Sequence, residues 1–191
     1  MAIETKAAEP ETVTAPIEAG VRIGHVHLKV ADLDRALEFY CGVLGFQLMQ
    51  KLGPQAAFIS AGGYHHHIGL NTWESRGAPP PPQGTTGLYH LAILYPTRTA
   101  LADALRRLIE AKIPLDGAAD HGVSEALYLR DPDDNGVELY WDRPQEQWPR
   151  TPDGKLAMFT RHLDLMGLLA AAGEPPKAQV ADAAEETVRD L

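Results

Sequence analysis

Two histidines and one glutamate are the residues of this sequence with the clearest potential for metal chemistry. His25 and His90 each lie in a predicted strand, and Glu138 lies in the apolar segment GVELYW, where an unpaired charge would be costly. Two imidazoles and one carboxylate on one side of an ion leave open coordination positions, which is typical of non-haem Fe(II) that activates oxygen. On spacing alone, each of the three is more often a hydrogen-bonded or surface residue of a strand than a ligand.

A run of three histidines is the second unusual feature. Alternation along a strand places His65 and His67 on one face, together with Gly69 and Asn71. On residue types alone this run could equally be a solvated strand end. His121 could be a loop histidine, and Tyr128 a core tyrosine with its hydroxyl at the rim.

Predicted elements of the first half must position these side chains. Asp32 can cap a helix that carries apolar residues at helical spacing and ends at Gly45. The Gly62-Gly63 pair predicts a turn between two of the strands. The strands are predicted over residues 23–30, 46–51, 56–60 and 64–71, so this half reads strand, helix, strand, strand, strand.

The same order recurs after a proline-rich linker. Residues 75–86 contain four consecutive prolines and favour an extended connector. The turn sequence from Asp131 to Gly136 suits a tight hairpin. A strand is predicted over 87–95, a helix over 100–111, and strands near 113–115, 126–130 and 136–141. Two such units side by side would share a concavity in which residues of both halves meet.

Composition excludes several classes of protein. The net charge of −9 argues against nucleic acid or an anionic membrane as the main partner. Cys41 is the single cysteine, so we expect no intrachain disulfide and a reducing, cytoplasmic location. No signal peptide or membrane span is predicted. We expect a flexible tail over residues 1–20, one domain over 21–145 and a partly disordered extension over 146–191, whose apolar residues in 158–169 could cover a sheet or a partner subunit.

Two segments resemble the module signatures of the vicinal oxygen chelate superfamily: GHVHLKVADLDRALEFYCGVLGF and LYLRDPDDNGVELYW. The resemblance implies an α+β fold of two tandem βαβββ modules, 21–74 and 87–145, that form a curled, cup-like mixed sheet. It also implies that the metal ligands are His25, rather than its neighbour His27, together with His90 and Glu138.

The extradiol dioxygenase branch is the one that the sequence resembles most. The pattern runs from His121 through Leu127-Tyr128 and Asp131-Pro132 to Glu138, and YHHHIGL resembles the segment that carries the acid–base histidine of that branch. The resemblance implies that Fe(II) and O₂ act on a catechol-type aromatic diol. His67 would exchange a proton during O–O cleavage, and Tyr128 and His121 would hydrogen-bond the substrate oxygens or the ring-derived intermediate.

Two other functions stay open at this point. One is a glyoxalase- or epimerase-type lyase or isomerase that binds Mn, Ni, Zn or Co at the same residues, with His67 as a fourth ligand. The other is a non-catalytic, resistance-type binder of small molecules. The sequence also leaves open whether the two modules meet within one chain or across a homodimer.

Overall fold

The computed structural model describes residues 15–173 and has the repeated order that the sequence predicts. The first module contains β1 (Val26–Lys29), helix α1 (Leu33–Leu37) with its π-helical continuation Glu38–Val43, β2 (Gln47–Leu52), β3 (Ala56–Ser60) and β4 (Ile68–Asn71). The second contains β5 (Leu91–Leu94), α2 (Arg98–Glu110), β6 (Gly117–Asp120), β7 (Ser124–Arg130) and β8 (Gly136–Asp142). A 3₁₀ turn (Gln145–Gln147), β9 (Arg161–His162) and α3 (Leu165–Leu169) follow.

The strands form two mixed sheets with equivalent topology. The order is β1-β4-β3-β2 in the first sheet and β5-β8-β7-β6-β9 in the second. In each sheet the opening strand pairs in parallel with the closing strand of its module, and the other pairings are antiparallel. The predicted α+β class and βαβββ repeat are therefore confirmed.

Local signals explain the first helix. The Asp32 side chain accepts a hydrogen bond from the backbone N–H of Arg35 at 3.0 Å, as expected of an N-cap. Gly45, with φ of 86°, ends the helical segment in the left-handed region. Apolar residues of both modules then pack into one core between helices and sheets, with Leu28, Ile59, Leu70, Leu101, Leu108, Leu127, Leu139 and Leu168 among its buried members.

The predicted strand near residues 113–115 is wrong. Lys112 turns the chain at φ of 57° after α2, and Ile113 and Leu115 pack against the core instead of joining a sheet. The strand forms at Gly117–Asp120, where four small or polar residues pair with β7. Strands β1, β4 and β5 lie within their predicted ranges but are shorter.

A buried polar contact joins the two modules. The Tyr40 hydroxyl donates to Asp131 Oδ2 at 3.0 Å, and Arg35 pairs with Asp133 in the same turn. The other oxygen of Asp131 accepts hydrogen bonds from the backbone N–H groups of Asp133 and Asn135, both at 2.9 Å. The predicted turn between β7 and β8 therefore also anchors helix α1.

The C-terminal segment up to residue 173 packs against the second module. Strand β9 pairs with β6, and buried Leu168 on α3 packs with the core beside α2. Residues 158–169, which we expected to cover a sheet or a partner subunit, thus lengthen the second sheet through β9 and bury Leu168 beside α2. The predicted N-terminal tail (1–20) lies largely outside the described residues, as does the end of the predicted extension (146–191), since 1–14 and 174–191 are not described. Within residues 15–173, no helix is long and apolar enough to cross a membrane.

Candidate metal and catalytic site

The centre of the candidate site is a histidine–glutamate pair on the second sheet. His90 Nε2 lies 2.8 Å from Glu138 Oε2. His90 comes directly before β5, and Glu138 is paired in register with Ala92 of that strand. Because β5 and β8 are parallel neighbours, the two side chains converge on one face of the sheet.

The backbone at Gly136 lets the His90 segment approach β8 closely. A Cβ atom at position 136 would lie 2.1 Å from the carbonyl oxygen of Tyr89 and 3.1 Å from His90 Cα. Contacts of 2.1 Å with backbone are sterically impossible, so any larger residue would push this segment away. The glycine is therefore a requirement of the pair's geometry.

Glu138 is held in place by a second hydrogen bond. Its side chain is only 12% exposed, and its Oε1 accepts a hydrogen bond from the Tyr128 hydroxyl at 3.0 Å. Tyr128 is paired with Glu138 across β7 and β8, so both point to the same face. Burial, followed by the negative charge of Glu138, raises the pKa of Tyr128, so the hydroxyl keeps its proton at neutral pH.

His121 continues this line of hydrogen bonds. Its Nε2 lies 2.8 Å from the Tyr128 hydroxyl oxygen. Its Nδ1 lies 3.2 Å from both the carbonyl oxygen of Phe159 and the hydroxyl of Thr160. His90, Glu138, Tyr128 and His121 thus form one connected polar chain.

An adjoining cavity of about 280 Å³ is large enough for a small organic molecule. Tyr89, His90 and Tyr128 line it, and Arg130 stands at the same cavity in an ion pair with Asp116 at 2.8 Å. Sequence reasoning missed Tyr89 and Arg130. The signal that could have identified them is their place in the sequence, since Tyr89 is next to His90 and Arg130 lies two residues after Tyr128.

The other histidines lie on the first sheet. The rings of His25 and His66 are 4.5 Å apart, and His65 Nδ1 lies 2.8 Å from His66 Nδ1. The ring of His27 lies directly over Gly69, where an added Cβ would be 2.9 Å from it. Partial burial, followed by the nearby His25, lowers the pKa of His27.

His67 has its own set of contacts. Its Nδ1 lies 3.0 Å from the hydroxyl of buried Ser60 and accepts a hydrogen bond from the backbone N–H of Ala61 at 3.3 Å. The ring also lies beside Tyr64, with centroids 4.8 Å apart. Ser60 was not singled out by the sequence, which gave no signal for it.

The predicted site residues therefore fall into two groups. The second sheet brings together His90, Glu138, Tyr128 and His121, whereas His25 and His67 lie on the first sheet. Among residues 15–173, no three histidine, cysteine, aspartate or glutamate side chains are close enough to hold a metal ion together. Imidazole and carboxylate fit a divalent transition metal, and within the described residues His90 and Glu138 are the two donors of the predicted set that lie together.

Comparison with known proteins agrees with this fold. Residues 22–139 match the family model described as Glyoxalase/Bleomycin resistance protein/Dioxygenase superfamily. A catechol-2,3-dioxygenase of Bacillus subtilis (strain 168) is 44% identical over 165 residues, which are 86% of this chain and 56% of that protein. Biphenyl-2,3-diol 1,2-dioxygenase 3 of Rhodococcus globerulus is 34% identical over 125 residues, which cover 63% of each chain.

A solved structure extends the comparison to three dimensions. The glyoxylase/bleomycin resistance protein/dioxygenase domain from Frankia sp. EAN1pec matches with a TM-score of 0.54 and 25% identity, over 64% of this chain and 98% of that one. The chain spans between half and two thirds of the length of these two curated relatives. From the family match and the repeated modules, the chain belongs to the glyoxalase/bleomycin resistance protein/dioxygenase superfamily, also called the vicinal oxygen chelate superfamily.

Proposed function

We propose that this protein is an Fe(II)-dependent extradiol dioxygenase that cleaves a catechol-type aromatic diol with O₂. The observation that carries the proposal is the connected set His90, Glu138, Tyr128 and His121 beside a small cavity. The names of the two similar dioxygenases described above support the reaction class, since both names contain an aromatic diol.

His90 and Glu138 would hold the metal, with His25 as the third ligand. When bound, a divalent metal would supply positive charge that favours loss of a proton from a diol hydroxyl. The Tyr128 hydroxyl would keep the Glu138 carboxylate in one orientation, because it occupies Oε1 and leaves Oε2 for the metal side. Iron is proposed over Mn, Ni, Zn and Co because two imidazoles and one carboxylate leave open positions for diol and O₂.

His67 is proposed as the residue that exchanges a proton with the substrate or intermediate. Its Nδ1 accepts from the Ala61 N–H, so the neutral ring carries its proton on Nε2. A ligating Nε2 would have no proton and would require Nδ1–H, which would face the Ala61 donor. These contacts favour a proton-donating role over that of a fourth metal ligand.

We further propose that His25 reaches the pair from a second copy of the chain. The two half-sites adjoin β1 and β5, which are edge strands of their sheets. Large apolar residues beside each half-site are exposed in the single chain: Ile23 is 96% exposed and Tyr89 is 83% exposed. A homodimer that covers these residues would join His25 of one copy to His90 and Glu138 of the other.

Mixing two inactive variants tests the shared site. His25→Ala lacks the donor of the first module and Glu138→Gln lacks that of the second, so neither should bind metal alone. After joint refolding, random pairing makes half of the dimers mixed, each with one intact site, and about a quarter of the metal binding should return. No recovery on mixing would mean that both modules form the site within one chain.

The reaction is tested by anaerobic reconstitution with Fe(II), followed by a panel of catechols in air. We expect oxygen uptake and a yellow ring-fission chromophore with at least one diol. Iron that binds stoichiometrically without oxygen uptake across the panel would contradict the proposed reaction. Metal analysis after anaerobic purification separates this from the lyase alternative, which predicts Ni or Zn.

A further inference from the structure

The C-terminal segment borders the candidate site although it lies beyond the matched residues 22–139. Strand β9 pairs with β6 through Ala119 and His162. Just before β9, the backbone N–H of Phe159 donates to the carbonyl oxygen of His121 at 3.3 Å. The Phe159 ring also lies over Gly122, where an added Cβ would be 2.6 Å from its Cε1. The segment is therefore packed against the loop that carries His121.

Two groups of this segment compete for one nitrogen of His121. Nδ1 lies 3.2 Å from the Phe159 carbonyl oxygen and 3.2 Å from the Thr160 hydroxyl oxygen. A carbonyl can only accept a hydrogen bond, whereas a hydroxyl can donate one. Because a neutral imidazole carries its proton on one nitrogen only, the Phe159 carbonyl favours the Nδ1–H tautomer, whereas the Thr160 hydroxyl also fits the Nε2–H tautomer.

The other end of the polar chain decides between the tautomers. As a carboxylate, Glu138 can only accept hydrogen bonds. The Tyr128 hydroxyl has a single proton, and it donates that proton to Glu138 Oε1 at 3.0 Å. Hydrogen bonds to an ionised acceptor are roughly twice as strong as neutral ones. The Tyr128 oxygen is then left to accept from His121 Nε2–H at 2.8 Å. Nδ1 of His121 consequently carries no proton and can only accept a hydrogen bond. The Thr160 hydroxyl can donate one to it, whereas the Phe159 carbonyl cannot.

We propose that Thr160 is a positioning residue that holds His121 in the Nε2–H tautomer. Its hydroxyl donates to Nδ1, so the hydrogen bonds run in one direction from Thr160 through His121 and Tyr128 to Glu138. Without this donor, the Phe159 carbonyl attracts a proton to Nδ1, and Nε2 then takes the Tyr128 proton away from Glu138. Outer contacts of this kind fix the orientation of ligating carboxylates and of the groups around them.

The tautomer can be measured directly in the full-length protein without metal or substrate. Long-range ¹H–¹⁵N correlation spectra of ¹⁵N-histidine-labelled protein, recorded at alkaline pH, distinguish protonated from unprotonated ring nitrogens. The His121 signals are assigned from the spectrum of the His121→Gln variant, in which they are missing. We expect His121 of the wild type to carry its proton on Nε2.

Two substitutions at position 160 separate the hydroxyl from the packing. Thr160→Val keeps the shape but not the donor, and it should move the His121 proton to Nδ1. Thr160→Ser keeps the donor and should retain the wild-type pattern. Because Thr160 is exposed, both variants should unfold at the same urea concentration as the wild type. A wild-type protein with Nδ1–H, or a valine variant with the wild-type pattern, would overturn the proposal.

The catalytic consequence rests on the proposed dioxygenase function, but the tautomer does not. In the iron-loaded enzyme, Thr160→Val should lower kcat about tenfold with little change in KM, and Thr160→Ser should restore it. A valine variant with wild-type kcat in an active enzyme would contradict the positioning role. Absence of activity in all three proteins would contradict the proposed function and leave the spectroscopic result as the decisive test of the tautomer.

Discussion

Replacement of Tyr40 by phenylalanine tests the buried contact that joins the two modules. Tyr40 is fully buried, and its hydroxyl donates to Asp131 at 3.0 Å. A hydrogen bond to a charged group contributes about 1.5–3 kcal/mol. After the substitution Asp131 keeps three donors, namely the backbone N–H groups of Asp133 and Asn135 and the side-chain amide of Asn135, so its carboxylate is not left unpaired. We therefore expect a loss of about 2 kcal/mol.

Urea denaturation measures this loss. With an m-value of about 2 kcal/mol/M, the unfolding midpoint of Tyr40→Phe should fall by about 1 M, and the m-value should not change. Tyr64→Phe is the matched control, because Tyr64 is 41% exposed and should shift the midpoint little. Equal midpoints for Tyr40→Phe and the wild type would refute the view that this contact stabilises the module interface.

The same residue predicts a pH dependence. Burial, followed by the charge of Asp131, raises the pKa of Tyr40 above its ordinary 10.0. The unfolded chain therefore loses this proton before the folded protein does, and the contribution to stability is complete below pH 10 and falls as the pH rises further. Above pH 10, the stability of the wild type should fall more steeply than that of Tyr40→Phe, by about 1.4 kcal/mol per pH unit.

Two further substitutions address the site itself. Gly136→Ala should displace the backbone of Tyr89. As a result, the free energy of unfolding should fall by about 1–3 kcal/mol and metal binding should weaken. Stability and metal affinity are compared with those of Gly117→Ala, whose added Cβ would meet no atom within 4 Å. His67→Gln should lower the turnover of the iron-loaded enzyme by about 10²-fold or more while iron stays bound, because the proton-exchanging group is lost and the ligands remain. Turnover and iron content are measured on the same preparation.

Both predictions can be contradicted by a specific result. Equal metal affinity and stability of the two alanine variants would show that the close approach at Gly136 does not position His90. Loss of iron from His67→Gln would mean that His67 is a ligand, as the lyase alternative requires. Unchanged turnover would remove His67 from the catalytic residues.

The sequence predicted most of the fold because its local signals and its repeat agree. The cap at Asp32, the glycine at Gly45 and the aspartate-rich turn at 131–136 each fix a local conformation that the structure retains. Strand β6 could not be predicted in the same way. Its sequence, GAAD, has no strong strand preference, and its conformation depends on pairing with β7 and β9.

The arrangement of the candidate site residues could also be predicted only in part. Glu138 and Tyr128 are paired across neighbouring strands, and His90 precedes the strand next to them, so strand alternation and register bring these residues together. The position of Thr160 beside His121 depends on how a short, irregular segment packs against β6, which leaves no periodic pattern. The relation of His25 to the pair depends on how the two sheets are arranged, which residue spacing within one sheet does not determine.

The metal content of single-site variants tests the central claim most directly. The proposed ligands predict that the anaerobically reconstituted wild type binds a single Fe(II) per chain, and that His25→Ala, His90→Ala and Glu138→Gln each abolish this binding. Glu74→Gln, at an exposed carboxylate, is the matched control and should bind iron as the wild type does. Stoichiometric iron in any of these three variants would contradict the account.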